Sequence, residues 1–349
     1  IGWYCIGMEQ FKTIVIRNII IKAINVILIL TIVKSSQDLT KYVIIMAGGQ
    51  LVSQIVLWSI VLKEIDFIKP KWQDIFPHFK PNILLFLPTI AASVYQMMDK
   101  IMIGAISSKA QLAYYEYADK LIQIPLLIFT AMGTVMLSRM SNLSVTAKKS
   151  ADKLLELSMD LTLVLASACS FGLAAIAEEL ATVYYGKEFI LSGTILFFLS
   201  PIIFFNGWAN VLRTQYIIPQ GKDTVYIKAT VAGAVVNLIL NAIFIPRYNA
   251  TGATIGTIVA QIIVAMVFTF YSKNELPLKQ YILKNIPYVF CGVVMFIIIK
   301  LIQQKHNINI RGLILDVAVG IATYSFCSLL ISLKNPDHLL GMIIIQIKK

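Results

Sequence analysis

Residues 225–246 read VYIKATVAGAVVNLILNAIFIP, and residues 251–271 read TGATIGTIVAQIIVAMVFTFY. Each run is long enough to cross a membrane, because about 20 apolar residues in a helix span a hydrocarbon core of ~30 Å. The segment that joins them, 247–250, is short and polar and follows Pro246, as is typical of a tight turn. The two runs therefore predict a pair of antiparallel membrane-spanning helices.

The same pattern recurs along the whole chain of 349 residues, of which 58% are hydrophobic and 14% charged. A soluble domain has about 45–50% apolar and about 25% charged residues. The mean hydropathy of +0.78 therefore excludes an ordinary soluble enzyme and predicts an all-α polytopic membrane protein. The predicted spans are 13–33, 41–62, 82–104, 119–140, 154–177, 190–212, 225–246, 251–271, 284–302 and 312–333.

Lysine and arginine are unevenly distributed between the two sides of these spans. The chain has 30 Lys and Arg against 18 Asp and Glu. Alternating the spans places 19 cations on the side of loop 63–81 and of the C-terminus, and 10 on the other side, with Lys22 inside a span. Because cytoplasmic loops carry the cationic excess, loop 63–81 and the C-terminus are predicted to be cytoplasmic. The cations fall in short pieces between apolar runs, which does not suit a nucleic-acid groove, so no nucleic-acid partner is predicted.

Cysteine and histidine give no metal or disulfide pattern. The cysteines are Cys5, Cys169, Cys291 and Cys327, and the histidines are His78, His306 and His338. No CxxC pair occurs, and the histidines are isolated in predicted loops, whereas a metal site needs converging ligands. The sequence therefore predicts no metal site.

The first span, 13–33, carries polar groups that are costly in lipid. Asn18, Lys22 and Asn25 are spaced i, i+4 and i+7 and so share one helix face. Lys22 lies nine residues into the span, about 13 Å deep, which favours a water-filled cavity. Arg17 lies nearer the end, so that snorkelling to the interface explains it equally well.

Other spans carry similar polar faces, and they include further candidates for a substrate path. These groups are Asn206, Asn210 and Arg213; Asn237 and Asn241; Glu156 and Asp160; and Asp99 with Lys100. Each asparagine alone is also explained as an interhelical hydrogen-bonding residue. Asp99 and Lys100 are also explained as a pair of charges at the membrane interface. One shared polar cavity explains all of them with fewer assumptions. Asp99 and Asp160 are the candidate carriers of a coupling ion or proton.

Helix breakers and the lack of catalytic patterns complete this interpretation. Pro88, Pro125 and Pro201 lie inside predicted spans, where proline marks kinks. No GxSxG, HExxH, phosphate-loop or dinucleotide motif is present. The sequence therefore shows no known catalytic or cofactor-binding pattern and predicts no cofactor, although a membrane enzyme can place its site in a few loop residues.

Four stretches of the chain resemble the Wzx-type flippases of lipid-linked oligosaccharides, which belong to the MOP superfamily together with multidrug exporters and lipid II flippases. The stretches are 3–12 (WYCIGMEQFK) running into Lys22, 95–104 (YQMMDKIMIG), 117–125 (YADKLIQIP) and 237–257 (NLILNAIFIPRYNATGATIGT). They are similar, in this order, to the family's fourth-to-fifth helix junction, the end of its seventh helix, the start of its eighth, and its eleventh-to-twelfth turn.

The resemblance implies two six-helix lobes plus two C-terminal helices. It makes 1–62 the remnant of the first lobe, 63–81 a cytoplasmic linker, 82–271 the second lobe, and 272–349 the two extra helices with a cytoplasmic tail. The first lobe is then incomplete. The start at Ile1, without Met or a charged leader, likewise predicts a chain that begins inside a longer protein.

The resemblance further implies flipping of an undecaprenyl-diphosphate-linked oligosaccharide across a bacterial plasma membrane, for capsule, O-antigen or exopolysaccharide synthesis. In that case Arg17 and Lys22 face the diphosphate, and a polysaccharide polymerase and a chain-length regulator are candidate partners besides membrane lipid. Two alternatives stay open at this point: a multidrug or other lipid exporter of the same superfamily, and a membrane-embedded polysaccharide polymerase or ligase.

Overall fold

The computed structural model describes residues 2–8, 11–62, 65, 71–73, 75–77, 79 and 97–334. Within these residues all regular secondary structure is helical, and no strand is present. The chain divides into two compact units, residues 1–87 and 88–349.

The first unit is built on a helical hairpin. Its helices are α1 (Gly2–Gly7), α2 (Phe11–Ile32) and α3 (Leu39–Val61). The chain turns between α2 and α3 at Asp38, whose carboxylate accepts hydrogen bonds from the backbone N–H groups of Lys34 and Ser35, at 3.1 and 3.2 Å. Cys5 of α1 is buried with Leu57 and Val61 of α3, so α1 closes one end of the hairpin.

The helices described from residue 97 onward belong to the second unit. In chain order they are α4 (97–106), α5 (Lys109–Thr146), α6 (Lys148–Tyr185), α7 (Ile190–Leu199), α8 (Ile202–Leu212), α9 (Asp223–Tyr248), α10 (Ala250–Ser272), α11 (Leu278–Gln303) and α12 (Ile310–Lys334). A π-helical segment, Arg213–Ile217, continues α8.

The predicted proline breakers differ in their effect. Pro201 lies between α7 and α8, which bend by 44° and together form one broken span. Pro125 lies inside α5, which continues through it as one helix. Pro88 lies outside the described residues. A proline at a helix end thus breaks the span, whereas one inside α5 is accommodated.

Helix α6 forms the centre of the second unit. It supplies residues to all three apolar clusters there: Leu163 to the cluster with α8 and α10, Ala166 to the cluster with α5 and α7, and Val164 to the cluster with α11 and α12. Small side chains on α6 let the neighbouring helices approach closely. The last two helices therefore pack onto the same central helix as α5, α7 and α8.

The connections of the second unit gather at two opposite ends. At one end, Lys222 pairs with Glu275, which brings the turns after α8 and after α10 together. The ammonium of Lys222 holds the pKa of the Glu275 carboxyl below its usual range. At the other end, Ser107 donates a hydrogen bond to Asn249 Oδ1 at 2.7 Å. Successive turns therefore alternate between the two ends of the unit, in the same order as the two membrane sides used in counting lysine and arginine.

Nine of the ten predicted spans coincide with helices long and apolar enough to cross a membrane, counting the bent pair α7–α8 as one. The tenth, 82–104, falls largely outside the described residues, and 97–104 of it are helical. Most of linker 63–81 and the tail 335–349 also lie outside them, so the predicted domain boundaries stay predictions. The prediction of an all-α, multi-pass membrane protein is confirmed.

Candidate functional site

A part-buried carboxylate, that of Asp99 on α4, lies among three other helices of the second unit. Its Oδ1 accepts hydrogen bonds from the side-chain amides of Asn237 at 2.9 Å and Asn241 at 2.6 Å, both on α9. Its Oδ2 accepts from the Tyr115 hydroxyl on α5 at 2.7 Å and from the Thr257 hydroxyl on α10 at 2.8 Å. We call these five residues the Asp99 cluster. The cluster contains both Asp99, predicted to carry a coupling ion or proton, and Asn237, predicted to line the substrate path.

The neighbouring lysine does not neutralise this carboxylate. Lys100 instead pairs with Glu116 at 2.7 Å and with Asp119 at 2.9 Å, both on α5. Among the described residues no cation contacts Asp99, so four neutral donors satisfy its charge. Asp99 and Lys100 therefore have different partners, and their interpretation as a pair of charges at the membrane interface stays a prediction.

The chemistry of the Asp99 cluster suits a small hard cation or a proton. Carboxylate, amide and hydroxyl oxygens are hard ligands. The hydroxyls of Tyr115 and Thr257 are donors and acceptors, so they can turn to accept from a protonated carboxyl. The Asn241 Oδ1 oxygen is buried without a hydrogen-bond partner among the described residues. This oxygen lies against Gly256 of α10, whereas the amide nitrogen of Asn241 faces Asp99.

The four polar residues predicted to share a role on α2 of the first unit lie in different environments; they are Arg17, Asn18, Lys22 and Asn25. Arg17 donates from Nη1 to the Ser53 carbonyl of α3 at 3.1 Å and from Nη2 to Asn18 Oδ1 at 2.7 Å. Lys22 is exposed, and no hydrogen bond or ion pair to another described residue is present. Arg17 thus contacts the neighbouring helix, and Lys22 is the cation among the four that is available to a ligand.

Three asparagines predicted or noted in the spans pack directly on glycines of neighbouring helices. Asn25 lies on Gly49, and a β-carbon at position 49 would come within 2.7 Å of Asn25 Cγ. In the same way, Asn210 of α8 lies on Gly133 of α5, and Asn241 lies on Gly256 of α10. Only glycine leaves room for an amide at such a contact. For Asn25 and Asn210 the interpretation as interhelical contacts therefore has direct support.

Gly49→Ala should destabilise the protein by about 1–3 kcal/mol, since the added methyl group overpacks the contact with Asn25. Adjacent Gly48 is the matched control, because no described atom lies within 4 Å of a β-carbon placed there. Gly48→Ala should be neutral or stabilising by up to about 1 kcal/mol, from helix propensity. The measurement is thermal unfolding in detergent micelles.

The double variant Asn25→Ala/Gly49→Ala should recover part of the stability lost in Gly49→Ala, because the clashing amide is gone. Equal unfolding temperatures for Gly48→Ala and Gly49→Ala would show that the α2–α3 contact tolerates a methyl group and that the close approach does not matter.

The predicted stripe on α8 is only partly a common surface. Asn210 is buried, whereas Asn206 is part-buried. Arg213 begins the π-helical segment, and its guanidinium lies over the Tyr226 ring of α9 at 5.8 Å from the ring centre. Arg213 is thus held by a cation–π contact, and its Nε is buried without a partner among the described atoms.

Asp160 of α6, the second candidate ion carrier, belongs to an ion-pair network. Its Oδ2 lies 2.6 Å from Lys284 Nζ of α11, which also contacts Glu156 at 2.9 Å. Asn285 donates to Asp160 Oδ1 at 2.9 Å. Because Lys284 compensates the charge of Asp160, this carboxylate is better suited to join α6 to α11 than to exchange an ion. The structure gives Asp99 and Asp160 separate sets of partners.

One histidine contradicts the expectation that all histidines are isolated. His306, in the connection between α11 and α12, lies beside Asp316 of α12 and Glu179 of α6. Sequence reasoning missed both acids because the predicted span ended at 177 and because Asp316, inside an apolar run, was not singled out. A charged residue within a span is the signal that would have found Asp316. His78 and His338 lie outside the described residues.

The chain is similar to one family model and to two curated proteins of polysaccharide and glycan biosynthesis. Residues 1–144 match the family model described as polysaccharide biosynthesis protein. A putative O-antigen transporter of Shigella dysenteriae is 27% identical over 268 residues, which are 76% of this chain and 66% of that protein. A probable low-salt glycan biosynthesis flippase, Agl15 of Haloferax volcanii, is 20% identical over 249 residues, 71% of this chain and 52% of the relative.

The predicted resemblance to flippases of polysaccharide biosynthesis is thereby confirmed. The fold is shared with the lipid II flippase MurJ in an inward closed conformation, with a TM-score of 0.70 and 21% identity, over 85% of this chain and 64% of that one. The chain thus spans about half to two thirds of the length of the proteins it matches. Both curated relatives are named as transport proteins rather than enzymes.

Proposed function

We propose that the protein flips a lipid-linked oligosaccharide from the cytoplasmic to the outer leaflet of a bacterial plasma membrane, for the synthesis of a surface polysaccharide. The observation that carries this proposal is the similarity to a putative O-antigen transporter over 76% of the chain. The undecaprenyl diphosphate carrier, and a polymerase and chain-length regulator as partners, belong to the same proposal. A polymerase or ligase has no comparable support, since both curated relatives are named as transport proteins.

The physical task explains why polar groups occur inside the spans. Each hydroxyl of a sugar that enters hydrocarbon without a hydrogen bond costs a few kcal/mol. A polar path replaces the lost water, and the lipid tail stays in the bilayer. A diphosphate needs cations and hydrogen-bond donors. Lys22 supplies a cation without a competing partner among the described residues, and Arg17 and Asn18 lie on the same helix.

The Asp99 cluster is proposed as the site that couples transport to an ion gradient. Binding of a proton or a small cation changes the hydrogen bonds that hold Asp99 to α5, α9 and α10. Such a change alters how strongly these helices are tied together, and alternating access requires two arrangements of the transporter. Asp99 is favoured over Asp160 because no cation among the described residues compensates it.

Deletion of the gene in its native cell tests the proposed function. Surface polysaccharide should be lost, and lipid-linked repeat units should accumulate on the cytoplasmic leaflet. Expression of the protein from its complete reading frame should restore export. Unchanged surface polysaccharide together with increased sensitivity to hydrophobic drugs would instead identify a drug exporter, and the flippase proposal would be rejected.

A further inference from the structure

Glu179, His306 and Asp316 converge at the end of the second unit that the charge count predicts to be outside the cell. One ligand atom from each lies within 4.8 Å of the other two. His306 Nε2 and Asp316 Oδ1 are 3.1 Å apart. Glu179 is 5% exposed and Asp316 is fully buried. An imidazole and two carboxylates, from α6, α12 and the α11–α12 connection, therefore meet in a place largely closed to water.

The imidazole of His306 is held with one nitrogen turned toward the acids. Its Nδ1 lies 3.2 Å from the Asn307 carbonyl, which only accepts hydrogen bonds, so Nδ1 carries a proton. Nε2 of the neutral ring then presents a lone pair to the Asp316 carboxylate. The Nε2 lone pair and the carboxylate oxygen, only 3.1 Å apart, repel each other unless a proton or a metal ion lies between them. Metal-bound histidines commonly show this arrangement, in which the other ring nitrogen donates to a backbone carbonyl.

Asp316 is oriented in a similar way by groups on α11. Gln303 donates from Nε2 to Asp316 Oδ2 at 3.0 Å and to the Ala175 carbonyl of α6 at 3.2 Å. Its Oε1 accepts from Lys300 Nζ at 2.9 Å. Gln303 thus fixes Asp316 so that Oδ1 faces His306. Partners that orient a ligand in this manner are typical of metal sites.

Glu179 adds a second carboxylate beside Asp316, and one of its oxygens lacks a hydrogen-bond donor within the described part of the chain. Its Oε2 is buried and has no hydrogen-bond partner among the described residues. A buried acceptor without a partner is costly, and a second carboxylate nearby adds charge repulsion. Lys300 donates to Gln303, and no ion pair joins it to either acid among the described residues. A divalent cation would balance the two carboxylates and use the free oxygen.

We propose that Glu179, His306 and Asp316 bind one zinc ion, which ties α6 to α12 and to the α11–α12 connection. Zinc takes nitrogen and carboxylate ligands at about 2.0–2.2 Å, usually four in a tetrahedron. Ligand atoms of such a tetrahedron are about 3.3 Å apart, close to the 3.1 Å between His306 and Asp316. Calcium and magnesium prefer sites made of oxygen ligands alone, whereas the imidazole nitrogen of His306 favours zinc. Water completes the coordination.

The experiment uses the purified protein in detergent micelles, with an affinity tag that contains no histidine. After chelation and dialysis, zinc chloride is added and bound metal is measured by mass spectrometry alongside thermal unfolding. We expect about one zinc ion per chain and a rise in the unfolding temperature that grows with free zinc. Calcium or manganese at the same concentration should give a smaller rise.

Variants test whether these three residues form the site. His306→Gln and Asp316→Asn should reduce bound zinc to background and remove the zinc-dependent rise. Gln303→Leu should retain the ligands but weaken zinc binding about 10–100-fold, as a positioning residue does. Glu178→Gln is the matched control, because it removes the exposed carboxylate next to Glu179 on α6 and should leave the zinc content unchanged.

The pH dependence separates zinc from a proton shared within the cluster. The hydrogen bond to Asp316 raises the pKa of His306, and Glu179 and Lys300 also face this region. Without zinc, stability from a charged His306 is present at low pH and is lost as the pH rises through the raised pKa. Zinc needs a neutral imidazole, so its stabilisation grows as the pH rises. Wild-type protein that retains no zinc and unfolds at the same temperature with and without it, from pH 6 to 8, would overturn the proposal.

Discussion

Replacement of Asp99 by asparagine should strongly reduce export of the surface polysaccharide while the protein stays in the membrane at nearly its normal amount. Asparagine has the same shape, and its oxygen still accepts from Asn237 and Asn241 while its amide donates to the hydroxyls of Tyr115 and Thr257. It cannot bind a proton or balance a cation. If coupling depends on Asp99, transport should fall by about tenfold or more, within the range of coupling free energies.

The deletion strain, complemented with each variant, supplies the measurement, with protein quantified in isolated membranes. Asp152→Asn, the same chemical change at an exposed position of α6, is the matched control and should export normally. Asp160→Asn should act differently and lower the amount of protein, since it breaks the pair with Lys284. Normal export by Asp99→Asn at normal abundance would remove the Asp99 cluster from the coupling mechanism and leave it a structural hydrogen-bond network.

Lys22→Ala should also abolish export with little loss of protein. Lys22 is the twelfth of the 22 residues of α2, about 16 Å along a helix that is about 33 Å long. A cation near the bilayer centre without a partner among the described residues is costly, so its removal should not destabilise the fold. Its proposed role is to bind the substrate diphosphate, which alanine cannot do. Lys22→Arg should keep part of the activity, because it keeps the charge with a different geometry.

Lys12→Ala, at an exposed position near the start of the same helix, is the matched control and should export normally. Arg17→Ala should instead reduce stability, because Arg17 holds the Ser53 carbonyl of α3. Wild-type export by Lys22→Ala at normal abundance would exclude Lys22 from the substrate path. Loss of the Lys22→Ala protein itself would indicate a structural role for the lysine.

The spans were predictable from sequence because membrane crossing is a local property: length and hydropathy of one segment decide it. The partners that a side chain meets on other helices of the bundle were not predictable from the sequence. Asp99 and Asn241 are 142 positions apart, and no spacing rule connects them. Their polarity inside spans marked both as unusual, but only packing of α4 against α9 shows that one donates to the other.

The same limit explains the partners of Lys100 and the misjudged histidine. Lys100 follows Asp99 directly in the chain, but successive residues on a helix point in different directions, and Lys100 contacts Glu116 and Asp119. His306 looked isolated because its acidic neighbours are 10 positions and more than 100 positions away. Clusters built from different helices therefore need the fold.

The asparagine–glycine contacts constrain how this protein can change over evolutionary time. At Asn25–Gly49, Asn210–Gly133 and Asn241–Gly256, each partner occupies the space that the other leaves free. A larger residue in place of the glycine is compatible only with a smaller one in place of the asparagine, so the first of two such mutations carries the cost that the second removes. The three pairs should therefore be inherited as covarying units, with intermediate sequences rare among descendants.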